Sequence, residues 1–241
     1  MYKTYACTAL HGMYNLWQQI KEYLHETDTL YFLGDACDRG DDGIKIIREL
    51  LQDPRIIYLK GNHEDIFTIV APELIEGRYE NYSWWVMNGG YQTAKDFLKL
   101  EEPSQRWFLK KLENLPETAT YINKSGQEIF LCHAGTRPDM TKRELQLMGI
   151  KDPYIWDRKH LHAPWPQDKK YDNKYIVHGH SPVQYVFQGI DGTSILKYSH
   201  GHKFDLDLAS FDTCRVALFD LDTLTVEKYF DDTDTWKNTC I

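Results

Sequence analysis

The fold of this chain is decided by the stretch GDACDRG at residues 34–40, which directly follows the apolar run Thr29 to Leu33. An apolar run of this length that ends in Gly and Asp is typical of a buried β-strand followed by a tight turn. A helical pattern comes next at residues 43–52, and a second apolar run follows at Ile56 to Lys60. A strand, a helix and a strand at this spacing predict parallel pairing with a right-handed crossover.

Similar polar turns follow other apolar runs of the chain. They are LHG at 10–12, GNHE at 61–64, HAG at 133–135 and HGHSP at 178–182. Ligands bind at the carboxyl ends of the strands in parallel sheets, so we expect the five turns to converge. Together they supply imidazole nitrogens, carboxylate and amide oxygens and a guanidinium, which are the groups that hold divalent metal ions beside a phosphate.

The rest of the chain predicts an α/β (α+β) fold of two mixed β-sheets packed face to face and flanked by helices. Strand and helix alternate through the first 65 residues, and a further buried strand is predicted at 128–132. Later strands are predicted at 175–177, 194–198, 216–220 and 225–229, and we expect them to form a second, more antiparallel sheet. We expect a single domain over residues 1–241, with a helical flank at about 65–120 and an irregular lid at about 139–172.

Composition limits the partners of the protein. A net charge of −8 and a pI near 5.7 argue against a nucleic-acid polymer as partner. The N-terminus is too short and polar for a signal peptide, and no run approaches the ~18 apolar residues of a membrane span. The five cysteines are odd in number and lack zinc-ribbon spacing, so reduced thiols are expected. We therefore expect a cytoplasmic protein with no membrane partner.

Each candidate residue also has a simpler structural interpretation. Asp35 at a strand end can bridge two cations, and Arg39 suits a phosphate, but Asp-rich turns are common at strand ends. Asn62 can offer its amide oxygen to a metal or cap the following helix. His63 can protonate a leaving oxygen, with Asp38 holding its tautomer.

The later polar residues leave the same choice open. His133, His178 and His180 are either metal ligands or hydrogen-bonded structural histidines. Arg158 is either a second phosphate ligand or half of a surface pair with the neighbouring Asp157. Four other histidines lie in polar loops and are expected to be solvated: His160, His162, His200 and His202.

These motifs, in this order, resemble the phosphoprotein phosphatase branch of the calcineurin-like metallophosphoesterases. The closest resemblance is to the bacterial and phage serine/threonine phosphatases of the bacteriophage lambda phosphatase type, and to the symmetrical diadenosine tetraphosphatases. The motifs NGG at 88–90 and WDR at 156–158 add to the likeness, which runs from about Tyr5 to about Leu221.

The resemblance implies a dinuclear metal centre and assigns a role to each site residue. Asp35 would bridge two divalent ions, with manganese the first choice and iron, zinc, nickel or magnesium as alternatives. His11 would bind the first ion, and Asn62, His133 and His180 would bind the second; His180 rather than His178 occupies the histidine place of its motif. Arg39 and Arg158 would grip the phosphate, and His63 with Asp38 would protonate the leaving group after attack by a metal-bound hydroxide.

One position departs from the family pattern, because the family places Asp where this chain has Ala9. A methyl group cannot coordinate a cation, so we expect a weakened first-metal site. The expected function is hydrolysis of phosphomonoesters on a phosphorylated protein, as by serine/threonine phosphatases, or on a small phosphorylated molecule. The alternatives are a symmetrical dinucleoside-tetraphosphate hydrolase, with a nucleobase stacked near Trp84-Trp85 or Trp165, and a phosphate-binding or regulatory protein that has lost turnover.

Overall fold

The computed structural model describes residues 2–186 and 189–232, and it contains two five-stranded sheets. The strands are β1 (Thr4–Cys7), β2 (Thr29–Phe32), β3 (Ile56–Tyr58), β4 (Thr118–Ile122), β5 (Glu128–Cys132), β6 (Lys174–His178), β7 (Leu196–Tyr198), β8 (Lys203–Asp205), β9 (Arg215–Asp220) and β10 (Thr225–Asp231). The helices are α1 (Tyr14–Tyr23), α2 (Gly43–Gln52), α3 (Asn62–Ile75), α4 (Tyr82–Met87), α5 (Tyr91–Leu98), α6 (Glu102–Glu113), α7 (Lys142–Leu147), α8 (Pro153–Trp156), α9 (Val183–Val186) and α10 (Ser210–Thr213).

The first sheet has the strand order β10-β9-β1-β2-β3. Strands β1, β2 and β3 are parallel, with Thr4 opposite Thr29 and Leu30 opposite Ile56, as the strand-helix-strand spacing predicts. Strand β9 pairs with β1 in the antiparallel direction, and β10 pairs antiparallel with β9 at the edge of this sheet. The prediction that β9 and β10 belong to the second sheet is therefore wrong. The spacing of elements along the chain did not reveal that β9 pairs with β1, because the paired residues Tyr5 and Asp220 lie near opposite ends of the sequence.

The second sheet has the strand order β4-β5-β6-β8-β7. It is mixed, as predicted, because β5, β6 and β8 are parallel while β4 and β7 run antiparallel to their neighbours. Two of its strands were not predicted. Strand β4 spans the predicted end of the helical flank. Strand β8 consists of Lys203, Phe204 and Asp205, a polar composition that is unusual for a buried strand.

The two sheets pack face to face around a shared apolar core. Side chains alternate across β1, so Ala6 faces the second sheet while Tyr5 and Cys7 face the helices. The core between the sheets contains Ile129 and Phe204 of the second sheet. A larger core on the other face of the first sheet is formed with helices α1 to α6.

The segment expected to be an irregular lid contains α7, α8 and two short 3-10 helices at Lys159–His162 and Lys169–Tyr171. His160 lies in the first of these and is only 1% exposed, so the expectation that it is solvated is wrong. Its ring packs against Gly135 and His178 on the outer face of the second sheet, which sequence spacing does not reveal.

Four of the cysteines, Cys7, Cys37, Cys132 and Cys214, are buried, and Cys240 lies outside the described residues. In residues 2–186 and 189–232, no helix combines the length and the apolar character that a bilayer crossing requires.

Candidate metal and phosphate site

The five polar turns converge at the carboxyl ends of β1, β2, β3, β5 and β6, as predicted. Backbone hydrogen bonds tie neighbouring turns together. The His11 amide donates to the carbonyl oxygen of Asp35 at 3.0 Å, and the Gly179 amide donates to that of His133 at 2.8 Å. The functional side chains are therefore held by the ends of two sheets rather than by long loops.

The carboxylate of Asp35 lies at the centre of the cluster and is 2% exposed. Its Oδ2 atom is 3.3 Å from His133 Nε2, 3.6 Å from His11 Nε2 and 4.0 Å from His63 Nε2. Its Oδ1 atom accepts the His63 backbone amide at 3.0 Å. Burial alone would raise the pKa of Asp35, but the surrounding imidazoles, His133 first, hold that pKa well below its usual range.

One potential metal-binding group consists of His11, Asp35 and His63. His11 Nδ1 lies 3.0 Å from the carbonyl oxygen of Cys37, so Nδ1 carries the proton and the lone pair of Nε2 points toward Asp35. Burial, and then the nearby Arg39 guanidinium, lower the pKa of His11 well below its ordinary value, which keeps the imidazole neutral. A neutral imidazole is the form that binds metal.

A second group consists of Asp35, His133 and His180, and Asn62 completes it. The Asn62 Oδ1 atom lies 2.9 Å from His133 Nε2 and 2.8 Å from His180 Nδ1. Helix α3 begins at Asn62 with Gly61 in the capping position, so Asn62 does not cap the helix. His180 Nε2 is buried and has no hydrogen-bond partner among the described residues. Carboxylate, amide and imidazole donors gathered in this way fit a divalent cation.

Strained backbone is concentrated at this site. Left-handed φ angles of 44° to 71° occur at six non-glycine residues here: Ala9, His11, Asp35, Asp38, Arg39 and His180. Each such residue costs about 1 kcal/mol or more, and strain of this kind is typical of functional sites. Ala9 itself is buried, and its carbonyl oxygen accepts the hydroxyl of Ser210.

His63 and Asp38 form a buried pair, with His63 Nδ1 2.7 Å from Asp38 Oδ2. Burial disfavours the charged imidazole, but Asp35 and the bond to Asp38 outweigh it and raise the pKa of His63. The imidazole is therefore held in a fixed orientation with a proton available.

Two exposed arginines flank the cluster. The Arg39 guanidinium lies 4.2 Å over the ring of Phe211, and its Nη1 atom is 3.0 Å from His11 Nε2. Arg158 Nε donates to Ser181 Oγ at 3.2 Å, which directs it toward the His180 turn. The alternative pairing of Arg158 with Asp157 is not formed, because the Asp157 carboxylate accepts the Lys159 amide instead.

Comparison with known proteins identifies the family. The sequence model of the calcineurin-like phosphoesterases matches residues 2–216. This chain belongs to that family. The enzymes of this family are metal-dependent, and the curated relatives are phosphatases and bis(5'-nucleosyl)-tetraphosphatases, so this chain is a hydrolase.

Two curated relatives illustrate the range of the family. A bis(5'-nucleosyl)-tetraphosphatase PrpE (asymmetrical) of Oceanobacillus iheyensis is 24% identical, over 71% of this chain and 70% of that protein. The serine/threonine-protein phosphatase 2 of Salmonella typhimurium is 30% identical, over 63% of this chain and 66% of that protein. The chain thus matches about two thirds of the length of each relative.

Solved structures share the fold of this calcineurin-like phosphoesterase. A proposed diadenosine tetraphosphatase superimposes with a TM-score of 0.61 at 13% identity, covering 96% of this chain and 94% of that one. A serine/threonine phosphatase from Saccharomyces cerevisiae gives a TM-score of 0.56 at 13% identity, covering 96% and 80%.

The sequence did not reveal the role of Glu64, the last residue of the GNHE motif. The Glu64 carboxylate is fully buried and accepts three backbone amides, those of Asp35, Ala36 and Gly61, each at 2.8 Å. It also accepts the Tyr58 hydroxyl at 2.8 Å. Glu64 therefore fixes the Asp35 turn against the start of α3. The GNHE motif includes Glu64, but the motif alone does not reveal which groups hydrogen-bond to its carboxylate.

Other candidates lie away from the cluster or inside the core. His178 bonds to the Tyr198 hydroxyl at 2.7 Å and belongs to neither of the two potential metal-binding groups described above. Trp85 is fully buried, and Trp165 is 5% exposed and stacked on His202. Neither of these tryptophans offers a free face to a nucleobase.

Proposed function

We propose that this chain is a metal-dependent phosphomonoesterase of the serine/threonine protein phosphatase type. The observation that carries the proposal is the position of Asp35 Oδ2, which lies 3.6 Å from His11 on one side and 3.3 Å from His133 on the other. A carboxylate between two groups of metal ligands is suited to hold a pair of cations. Two divalent cations there would activate a water for attack and offset the charge on the phosphoryl oxygens.

The residues of the chain divide the remaining work among them. Arg39 and Arg158 bind the phosphoryl oxygens with their guanidinium groups. His63, oriented by Asp38, donates a proton to the leaving oxygen. The residues that would hold the cations are His11 and Asp35 for the first, and Asp35, Asn62, His133 and His180 for the second.

Ala9 weakens the first cation site in this proposal. Position 9 carries a methyl group, which cannot bind a cation. The chain therefore offers only two ligands, His11 and Asp35, to the first cation. The second site keeps four protein donors. Manganese is our first choice of metal, as the resemblance to the family implies, and carboxylate, amide and water oxygens are ligands that suit Mn²⁺.

Two observations favour a phosphorylated protein over a dinucleoside tetraphosphate. The relative with the highest identity among those reported above is a serine/threonine-protein phosphatase. Of the candidates to stack on a nucleobase, Trp85 and Trp165 are buried, and the half-buried Trp84 is stacked on Trp156. The dinucleoside-tetraphosphatase relatives keep the second substrate class as the alternative to be tested.

The deciding experiment compares the wild-type chain with Ala9→Asp. Hydrolysis of p-nitrophenyl phosphate is measured over a manganese titration, and bound metal is counted by mass spectrometry. We expect the wild type to bind one manganese tightly and a second weakly. Ala9→Asp should hold both and gain about 100-fold in rate at low manganese, which equals about 3 kcal/mol of transition-state stabilisation.

The Asp35→Asn variant is the negative control and should lose both metals and all hydrolysis. If the wild type already turns over fully at low manganese and Ala9→Asp adds nothing, the weakened first site is refuted. If neither form hydrolyses any phosphomonoester, the enzymatic proposal fails, and phosphate binding without turnover replaces it. Rates on a phosphothreonine peptide and on diadenosine tetraphosphate then distinguish the two substrate classes.

A further inference from the structure

The carboxylate of Asp38 receives two hydrogen bonds on the same oxygen. His63 Nδ1 lies 2.7 Å from Asp38 Oδ2, and the indole Nε1 of Trp85 donates to that oxygen at 3.0 Å. The other oxygen, Oδ1, is buried and has no hydrogen-bond partner within the described part of the chain. Of the two donors that fix the direction of this carboxylate, Trp85 is the one that takes no part in the proposed chemistry.

Trp85 is itself held firmly in place. Its side chain is fully buried, and it stacks on Phe67 with ring centroids 5.2 Å apart. Gly90 lies directly against the indole, since a Cβ atom at Gly90 would be 2.0 Å from the indole Cδ1. The second glycine of the NGG motif therefore allows the indole to reach Asp38.

The same helical segment also fixes the backbone of the Asp38-Arg39 turn. The Asp38 amide donates to Thr93 Oγ1 at 3.0 Å, and the Arg39 amide donates to the carbonyl oxygen of Gly89 at 2.8 Å. Both residues have left-handed φ angles, 68° and 70°, which need such support. Helices α4 and α5 and the short segment between them thus contribute three hydrogen bonds to one turn that carries two functional side chains.

We propose that Trp85 is a positioning residue for proton donation by His63, acting through the Asp38 carboxylate. This inference rests on the proposed phosphomonoesterase function. Without the indole N–H, the Asp38 carboxylate is free to rotate and offer its unpartnered Oδ1, and the imidazole loses its fixed orientation. Misplacing a catalytic group slows the step that depends on it, while steps that do not use the group keep their rates.

The test uses Trp85→Phe, which keeps a buried aromatic ring but removes the indole donor. A leaving group as weakly acidic as phenol, with a pKa of about 10, needs protonation as it departs, whereas p-nitrophenol is a much better leaving group and needs little. We expect kcat to fall about 10-fold with phenyl phosphate and less than about 2-fold with p-nitrophenyl phosphate. His63→Asn should show the same dependence on the leaving group with a larger amplitude.

Trp17→Phe is the matched control. Trp17 is also fully buried in the same core, and its indole donates to a carboxylate, Glu49 Oε2, at 2.9 Å, but that carboxylate is not part of the site. Both variants should lose comparable stability, measured by urea unfolding. Only Trp85→Phe should change the ratio of the two rates. Equal losses on the two substrates, or the same ratio change in Trp17→Phe, would overturn the proposal.

A second measurement does not depend on turnover. The Nδ1 proton of His63 is hydrogen-bonded to a buried carboxylate, so it should give a downfield proton resonance that is protected from exchange with water. We expect this resonance to broaden or disappear in Trp85→Phe and to persist in Trp17→Phe. If neither the wild type nor Ala9→Asp hydrolyses any substrate, the proposed function fails. The resonance still tests whether Trp85 positions His63, because it does not depend on turnover. An unchanged resonance in Trp85→Phe contradicts that role.

Discussion

At the scale of single residues, close approach at Gly61 shapes the site. A Cβ atom at Gly61 would lie 2.3 Å from Asp35 Oδ1, 2.5 Å from the Asp35 amide nitrogen and 2.6 Å from Glu64 Oε2. The first two atoms belong to Asp35, whose carboxylate lies at the centre of the site. The third belongs to Glu64, which holds the Asp35 turn in place. The glycine is required here because the start of α3 packs directly on the Asp35 turn.

We therefore expect Gly61→Ala to displace Asp35 and weaken metal binding by about 10-fold or more, since forcing a methyl group into a packed site costs about 1–3 kcal/mol. Isothermal titration with manganese measures the affinity. Gly77→Ala serves as the control, because a Cβ atom there meets nothing within 4 Å. Gly77→Ala should lose some stability because the φ angle of 72° at this position is unfavourable for alanine, but it should bind metal like the wild type. Equal affinities in the two variants would contradict the packing argument.

The spacing of the motifs along the sequence predicted the positions of some site residues but not of others. Asp35, Asn62, His63 and His133 were predicted to converge, because each follows a strand whose carboxyl end meets the others. His160 was expected in solvent and is buried. Its sequence neighbours are polar, and its burial comes from Gly135 and the second sheet, which approach it only in the folded chain.

At the scale of elements, β8 brings a lysine into the interior of the second sheet. Lys203 is 1% exposed, and its Nζ donates to the carbonyl oxygen of His160 at 3.0 Å. Burial lowers the pKa of Lys203 from 10.5 to about 8. The strand was missed in the sequence because a three-residue segment with a lysine and an aspartate has no apolar alternation.

This lysine makes stability depend on pH in a defined direction. Between pH 8 and 10.5 the unfolded chain binds more protons at Lys203 than the folded chain, so the free energy of unfolding rises with pH. The contribution grows by about 1 kcal/mol for each pH unit in that window. We expect the wild type to gain stability relative to Lys203→Met at that rate, as measured by urea unfolding from pH 8 to 10.

Lys110→Met, at an exposed position of α6, controls for the loss of a lysine. Its difference from the wild type should stay flat across the same pH range. A flat difference for Lys203→Met as well would show that the Lys203 ammonium is not desolvated by the second sheet.

At the scale of the whole molecule, the two sheets depend on the core that they share. Phe204 of β8 and Phe219 of β9 meet across that core with ring centroids 4.9 Å apart, and both side chains are at most 1% exposed. One residue comes from each sheet, so their contact couples the sheets directly. Removal of either ring leaves a cavity that neither sheet can close alone.

We expect Phe219→Ala to lower the free energy of unfolding by about 3–5 kcal/mol and the melting temperature by about 10 °C. Far-ultraviolet circular dichroism and tryptophan fluorescence should report one coincident transition, because both sheets lose the same core. Leu147→Ala, at a side chain that is 80% exposed, should change stability by less than about 0.5 kcal/mol. Two separate transitions in Phe219→Ala would show that the sheets unfold independently.

The sequence by itself determined the strands β1, β2, β3 and β5, the polar turns that follow them, and the family. These features are local, because an apolar run and the residues that end it lie within about ten positions of each other. Tertiary structure alone decided that β9 and β10 join the first sheet, that Lys203 and His160 are buried, and that Trp85 bonds to Asp38. Each of these depends on contacts between segments 18 to more than 200 residues apart, whose relative positions are set by the packing of the whole chain.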